Sequence, residues 1–289
     1  MTVLVNLVVA LGMLYAVPAG LRLIDPAGLG TAARLWPWAA VPGALSPWLP
    51  RGGAATALAA VYAAAALALL GAAGARLLRP GRSSGGRRPD PAEVAVLTAL
   101  ASPSVAAAAL VAERAGYRLF GFDLDVLALT VPHFHFAGFT AALVAGLVCR
   151  SAATGHRARW AAYSVPAGTL LVLAGYFVDD WAELLGAVVL TGGMWTVALV
   201  TWRELRPAAR DRATGALLAV SAAVLVATML LALWWAAGEA TGITHPTLTW
   251  MAATHGVGNA LGFALCSLLA WRRLGGGRAP APRPATALT

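Results

Sequence analysis

A chain of 289 residues with 60% hydrophobic side chains, 11% charged ones and a mean hydropathy of +0.74 has too little polar surface for a water-soluble globule, so lipid must cover most of it. The net charge of +9 would suggest nucleic acid in a soluble protein, but all 21 basic residues are Arg and most sit in short loops between apolar runs, where they report topology. No nucleic-acid partner is expected.

In chain order, Met1 to Ile24 lacks a basic leader and a small-residue cleavage site and reads as a retained first helix. A helix rises about 1.5 Å per residue, so roughly 20 apolar residues cross the hydrocarbon core. On that ruler, spans are predicted at about 3–24, 53–78, 91–112, 124–149, 160–177, 182–202, 214–237 and 246–271. Ala33–Pro50 is apolar too, but Pro37, Pro42, Pro47 and Pro50 interrupt it, which leaves a broken ninth span or a re-entrant segment at the interface. The expected fold is an all-α, polytopic transmembrane helical bundle of eight or nine helices over residues 1–274. Residues 79–90 form a flexible cytoplasmic loop and 275–289 a disordered cytoplasmic tail, from their Gly, Ser, Pro, Ala and Arg content.

Loop charge orients the bundle. Arg76, Arg79, Arg82, Arg87 and Arg88 share one loop; Arg150, Arg157 and Arg159 the next alternate one; Arg203, Arg206, Arg210 and Arg212, then Arg272, Arg273, Arg278 and Arg283, the others. Those loops are cytoplasmic. The opposite side carries Glu113, Asp123, Asp125, Asp179, Asp180, Glu183 and Glu239. Cys149 and Cys266 make no disulfide framework and are expected reduced.

Polar groups inside membrane helices are expensive, so each is a functional hypothesis. Thr130-Val-Pro-His-Phe-His-Phe-Ala-Gly-Phe139 places His133 and His135 beside Pro132. Thr254-His-Gly-Val-Gly-Asn259 places His255 and Asn259 four residues apart on one face. Both helices start at the outer interface and each has a histidine about nine residues in, roughly 14 Å by the helical rise, so His133 and His255 could face each other. His135, some 200° around the helix, cannot join His133 on one metal unless Pro132 breaks the helix. Against a functional role stands the buried histidine that merely bonds a neighbouring carbonyl. Gly258 and Gly262 read as a close-packing pair.

The second group is Asp179, Asp180 and Glu183. Acids there are ordinarily loop residues or helix caps, and Asp180 three residues before Glu183 fits a capping arrangement. Either acid tilted into the bundle would instead be a proton donor, with a histidine or Asn259 holding its geometry. Trp36, Trp38, Trp48, Trp181, Trp234, Trp235 and Trp250 lie towards the outer side, against Trp160, Trp202 and Trp271 at the inner. An interfacial belt explains some of them; an aromatic cavity that stabilises a cation would explain others, with Trp181, Trp234, Trp235, Trp250 and Phe136 as its lining.

The runs His133-Phe-His-Phe-Ala-Gly-Phe139 and Thr254-His-Gly-Val-Gly-Asn-Ala-Leu-Gly-Phe263 resemble the two signature segments of the YndJ-like family of bacterial membrane proteins, over most of the chain from the third helix on. Some actinobacterial proteins that look like this act as membrane terpene cyclases in pathways to prenylated indoles and diketopiperazines. The resemblance implies protonation-initiated (class II type) cyclisation of a prenyl chain, such as a farnesylated indole or diketopiperazine, with an upstream prenyltransferase as a partner in the pathway and no cofactor or metal. Asp180 or Glu183 would then be the donor, with His133, His135, His255 and Asn259 orienting it or acting as base. No Asp-rich motif of the DDxxD kind is present, and Asp123-Leu-Asp125 only partly echoes DxDD, so the acid stays unassigned. Two other classes remain open from the residues: a histidine-based metal- or haem-binding membrane protein, and a non-catalytic permease or accessory protein. Against a transporter stands the lack of an internal repeat.

Overall fold

The computed structural model describes residues 2–78, 90–153 and 155–275. The predicted loop at 79–90 and tail at 275–289 fall almost wholly outside the described residues. Among those described, the chain is helical with no strand, in nine segments: α1 (Val3–Ile24), α2 (Gly30–Leu35 and Pro37–Leu45, closing in a 3-10 turn at Ser46–Trp48), α3 (Gly53–Leu77), α4 (Pro91–Arg114), α5 (Leu124–Ser151), α6 (Gly155–Gly175), α7 (Asp180–Leu205), α8 (Arg212–Thr241) and α9 (Leu248–Arg273). All but α2 and α6 are long and apolar enough to cross a membrane. The first turns of α6 carry His156, Arg157 and Arg159, which lowers its hydropathy.

The Ala33–Pro50 alternative is decided by what its two ends touch. Asp25, just before α2, meets Arg76 at the end of α3, whereas the Ser46 and Leu49 carbonyls at the far end accept from Arg114 at the end of α4. Asn6 Nδ2 donates to Pro47 O, and midway Trp36 Nε1 donates to Met13 O at 2.8 Å. So α2 runs lengthwise beside α1, bent where Pro37 starts its second piece. Trp36 is consequently a core residue at mid-height, 3% exposed, and not part of an interfacial belt as its neighbours in sequence suggested.

Each end of the bundle is tied by ion pairs. At the arginine-rich end Arg76 holds both Asp25 and Glu93, joining α1, α3 and α4. There too Arg273 reaches Asp211 and Thr214, joining α9 to the start of α8. At the acidic end the buried Glu113 takes Arg51 at 2.9 Å and its neighbour Arg114, which satisfies a carboxylate that would be costly alone.

α5 is the axis: 89% of its membrane-length window is buried, against 28–56% for the other six long helices. A helix apolar on all sides belongs at the centre of a bundle. Glycines bring its neighbours into register. Gly175 lies against the Glu183 backbone, Gly186 against Val172, Gly168 against Leu190 and Gly193 against Ser164, so α6 and α7 form a tightly apposed antiparallel pair along their length. Gly258 and Gly262 seat α9 on Thr228 and Val224 of α8, the packing role expected for them. The helices that carry His133, His135 and His255 leave the regular α form. Phe134–Thr140, Ala252–Gly256 and Gly258–Leu265 are π-helical, a wider turn that recurs at functional sites.

Candidate functional site

Between α1, α4, α5, α6, α7, α8 and α9 lies a cavity of about 610 Å³ that opens towards the acidic end. That volume lies within the range of small-molecule sites. Its wall is largely apolar, with Phe122, Phe134, Phe136, Phe263 and Trp235 among the aromatic residues and Met194, Met229 and Met251 among the flexible ones.

The mouth is acidic. Asp179, Asp180, Glu183 and Glu239 all line it, and of the four only Glu183 is not exposed. The helix cap is Asp179, whose carboxylate accepts from Ala182 N at 2.8 Å. The expected Asp180–Glu183 capping arrangement does not form, because the chain enters α7 one residue earlier in extended backbone. That register leaves Asp180 outside in water and turns Glu183 into the wall, where Gly175 admits its backbone. The Tyr176 hydroxyl lies beside the Glu183 carboxyl, with the Asp180 and Glu239 charges close by. Glu239 in turn pairs with His245 Nε2 at 3.1 Å, and the ring of His245 stands edge-on to Trp235 at 5.0 Å over Gly238, where any Cβ would collide with it.

An aromatic rim flanks this mouth. Phe120, Phe122, Tyr176 and Phe177 meet edge to face at 5.4–6.2 Å. Among the described residues Phe120 is the one non-glycine with positive φ, at 55°, a conformation that costs an L-residue about 1–2 kcal/mol. Its contact with Phe177 helps hold it there.

Deeper in, His133, His255, Asn259 and Thr130 line the cavity. His255 is fully engaged: Nδ1–H donates to Thr228 O at 2.8 Å, and Nε2 accepts from Asn259 Nδ2 at 3.0 Å. Asn259 Oδ1 accepts from Thr228 Oγ1 at 2.8 Å, so the loop closes and the tautomer is fixed. His133 shares the chamber with His255. Its ring touches Phe134 edge-on, and among the described residues no group hydrogen-bonds either of its nitrogens.

His135 is elsewhere. Fully buried, it donates from Nδ1 to Val131 O at 2.7 Å and accepts at Nε2 from Tyr62 OH at 2.6 Å, on the side of α5 that faces α1 and α3. Gly12, in a π-helical turn of α1, lets the ring in. Of the five proposed lining residues, Trp235 and Phe136 line the cavity; Trp181, Trp234 and Trp250 do not, and are 61%, 46% and 45% exposed on the outside of the bundle. Among the described residues no group of three or more His, Cys, Asp or Glu is placed to hold a metal ion.

A family model described as YndJ-like protein matches residues 7–263. The chain belongs to the YndJ-like family. The match begins in α1, earlier than the third helix from which the resemblance was read, and takes in both histidine segments of this YndJ-like chain. No curated protein and no solved structure matches it.

Several groups at the site escaped the sequence reading. Tyr176 stood next to a helix end, where aromatics usually mark the interface. Glu239 served only as a topology marker, and His245 lay in a polar loop. Thr228 was the detectable one: a hydroxyl in the middle of a long apolar helix is a polar group in search of a partner.

Proposed function

We propose that this cavity is the site of a membrane-embedded terpene cyclase. It takes up a lipophilic prenyl chain, such as a farnesylated indole or diketopiperazine, and starts ring closure by protonation, with Glu183 as the donor. The observation that carries the reading is the pairing of a largely apolar, aromatic-walled chamber with one half-buried carboxyl at its mouth, Glu183, beside Tyr176. Such a wall shields a carbocation from water, and aromatic faces attract positive charge. Asp180, solvated at the rim, is the weaker candidate for donor.

The bilayer fits with the arginine-rich end in the cytoplasm of a bacterial cell. Nine passes then put the N-terminus outside and the C-terminus inside, and the cavity opens in the outer leaflet. A prenyltransferase upstream in the pathway would supply the substrate.

Co-expression with a prenyltransferase that makes a farnesylated indole tests the reading, with products analysed by mass spectrometry and NMR. The expected product is an isomer of unchanged mass with fewer double bonds. Glu183→Gln should abolish it while the protein stays folded in the membrane. Full turnover in Glu183→Gln would remove Glu183 from the mechanism. Unchanged linear substrate beside folded wild-type protein would overturn the cyclase reading and favour a non-catalytic binding role for the chamber.

A further inference from the structure

We infer that His133 is the group that takes the last proton from the cyclised cation, while His255 positions the wall around it; this rests on the cyclase reading above. The assignment comes from what each ring already bonds. His255 has both nitrogens committed, to Thr228 O and to Asn259 Nδ2, and could accept a proton only by breaking its bond from Asn259. His133 faces the same chamber with both nitrogens uncommitted among the described residues. An imidazole on a cavity wall with no protein partner keeps one donor and one acceptor nitrogen to offer a bound ligand.

Its depth gives it a distinct task from Glu183. His133 lies nine residues beyond the first residue of α5, about 14 Å along the axis, and Glu183 three residues beyond the first residue of α7, about 5 Å. Acid and base are thus separated by about 9 Å of bundle height, with apolar Leu173, Ala187 and Ala236 among the residues lining the chamber. Proton gain and proton loss therefore take place at two levels of one bound chain.

The Glu183 O–H bond breaks and its proton joins the less substituted carbon of the terminal alkene. The π pair becomes the new C–H bond and leaves a tertiary cation. A second alkene attacks that cation, forming a C–C bond and moving the positive charge inward. The C–H bond beside the final cation then breaks; its electron pair becomes the new alkene and its proton goes to the His133 imidazole. The product is an isomer of the substrate. His133 afterwards gives its proton to water, and Glu183 recovers one at the mouth.

The test compares products of wild type, His133→Phe and His133→Gln in the same co-expression. Both variants should still consume substrate, but the wild-type alkene should fall by about a hundredfold or more, the scale of a lost general base. In its place should come a mixture of alkene isomers and a water-captured alcohol. A merely structural histidine would lower yield without changing the product. If wild type cyclises and both variants make the same alkene at the wild-type rate, His133 is not the base and the cyclase reading stands. A shift in product from His255→Gln with none from His133→Gln would overturn the division of roles. If wild type makes no cyclised product, the cyclase reading itself falls, and His133 with it.

Discussion

His133 and His135 stand two residues apart on α5, and the helix turns them to opposite faces with opposite surroundings. The His135 side is sealed: Tyr62 and the Val131 carbonyl take its two nitrogens, Gly12 admits its ring, and Trp36 packs edge-on against Tyr62 at 5.6 Å. The His133 side is open to the chamber, its nitrogens unused among the described residues. The two rings are alike in residue type and close in height. They differ in what their nitrogens lack, and that difference separates a histidine that joins helices from one that meets a ligand.

The contrast is broken most directly at His135. His135→Ala should cost about 3–5 kcal/mol, since it leaves a cavity at the centre of the bundle and strands the Tyr62 hydroxyl. Tyr62→Phe, which deprives Nε2 of its donor, should cost about 1–3 kcal/mol. Thermal unfolding in detergent measures both. His133→Ala, which empties space already open to the chamber, should cost less than about 1 kcal/mol. Equal losses at 133 and 135 would erase the distinction between the two faces.

Glycines allow the same contrast at a smaller scale. At Gly175 a Cβ would stand 2.5 Å from the Glu183 backbone, whereas at Gly71, in the last third of α3, it would meet nothing within 4 Å. Gly175→Ala should therefore force α6 and α7 apart for about 1–3 kcal/mol and displace Glu183, lowering turnover as well as stability. Gly71→Ala should change turnover not at all and gain at most about 1 kcal/mol in helix stability. An inert Gly175→Ala would mean that the close approach does not set the position of Glu183.

Much of the bundle was legible because its cause is additive. Apolar length is a sum over a window, and it located eight long helices, seven of them apolar enough to cross a membrane, and the boundaries of most. α2 was not, because the prolines that break its periodicity do not break its course; that is set by contacts with Met13, Asn6 and Arg114 far along the chain. At the site, the four-residue spacing of His255 and Asn259 held as one face, since helical geometry alone fixes it. The partner that gives those residues meaning, Thr228, comes from another helix, and no local spacing records it. Nor could spacing tell Asp179 from Asp180 as the cap, where one residue of register decides which acid enters the wall.

The smallest effect expected comes from comparing the two ends of the bundle. At the acidic end Glu113 is 2% exposed between two arginines, while at the other end the Asp25 side chain is 31% exposed beside Arg76. The Gly28 backbone N–H, at 2.8 Å, does most to hold the Asp25 carboxyl below its ordinary 3.8; partial burial opposes it, and Arg76 adds to it. A carboxylate favoured in this way stabilises the fold above its unfolded pKa, and the contribution is lost as pH falls through the lower folded value. Asp25→Asn should thus cost less than about 1 kcal/mol near neutrality, less still in high salt, and nothing once the medium is acidic enough to protonate Asp25 in both states. The reason for so small a loss is redundancy. The substituted amide would keep an oxygen for the Gly28 N–H, and Arg76 would keep Glu93 at 3.1 Å, so α3 and α4 stay joined. A cost above about 2 kcal/mol would mean that Asp25 alone ties α1 to this end, and that the lengthwise course of α2 depends on that tie.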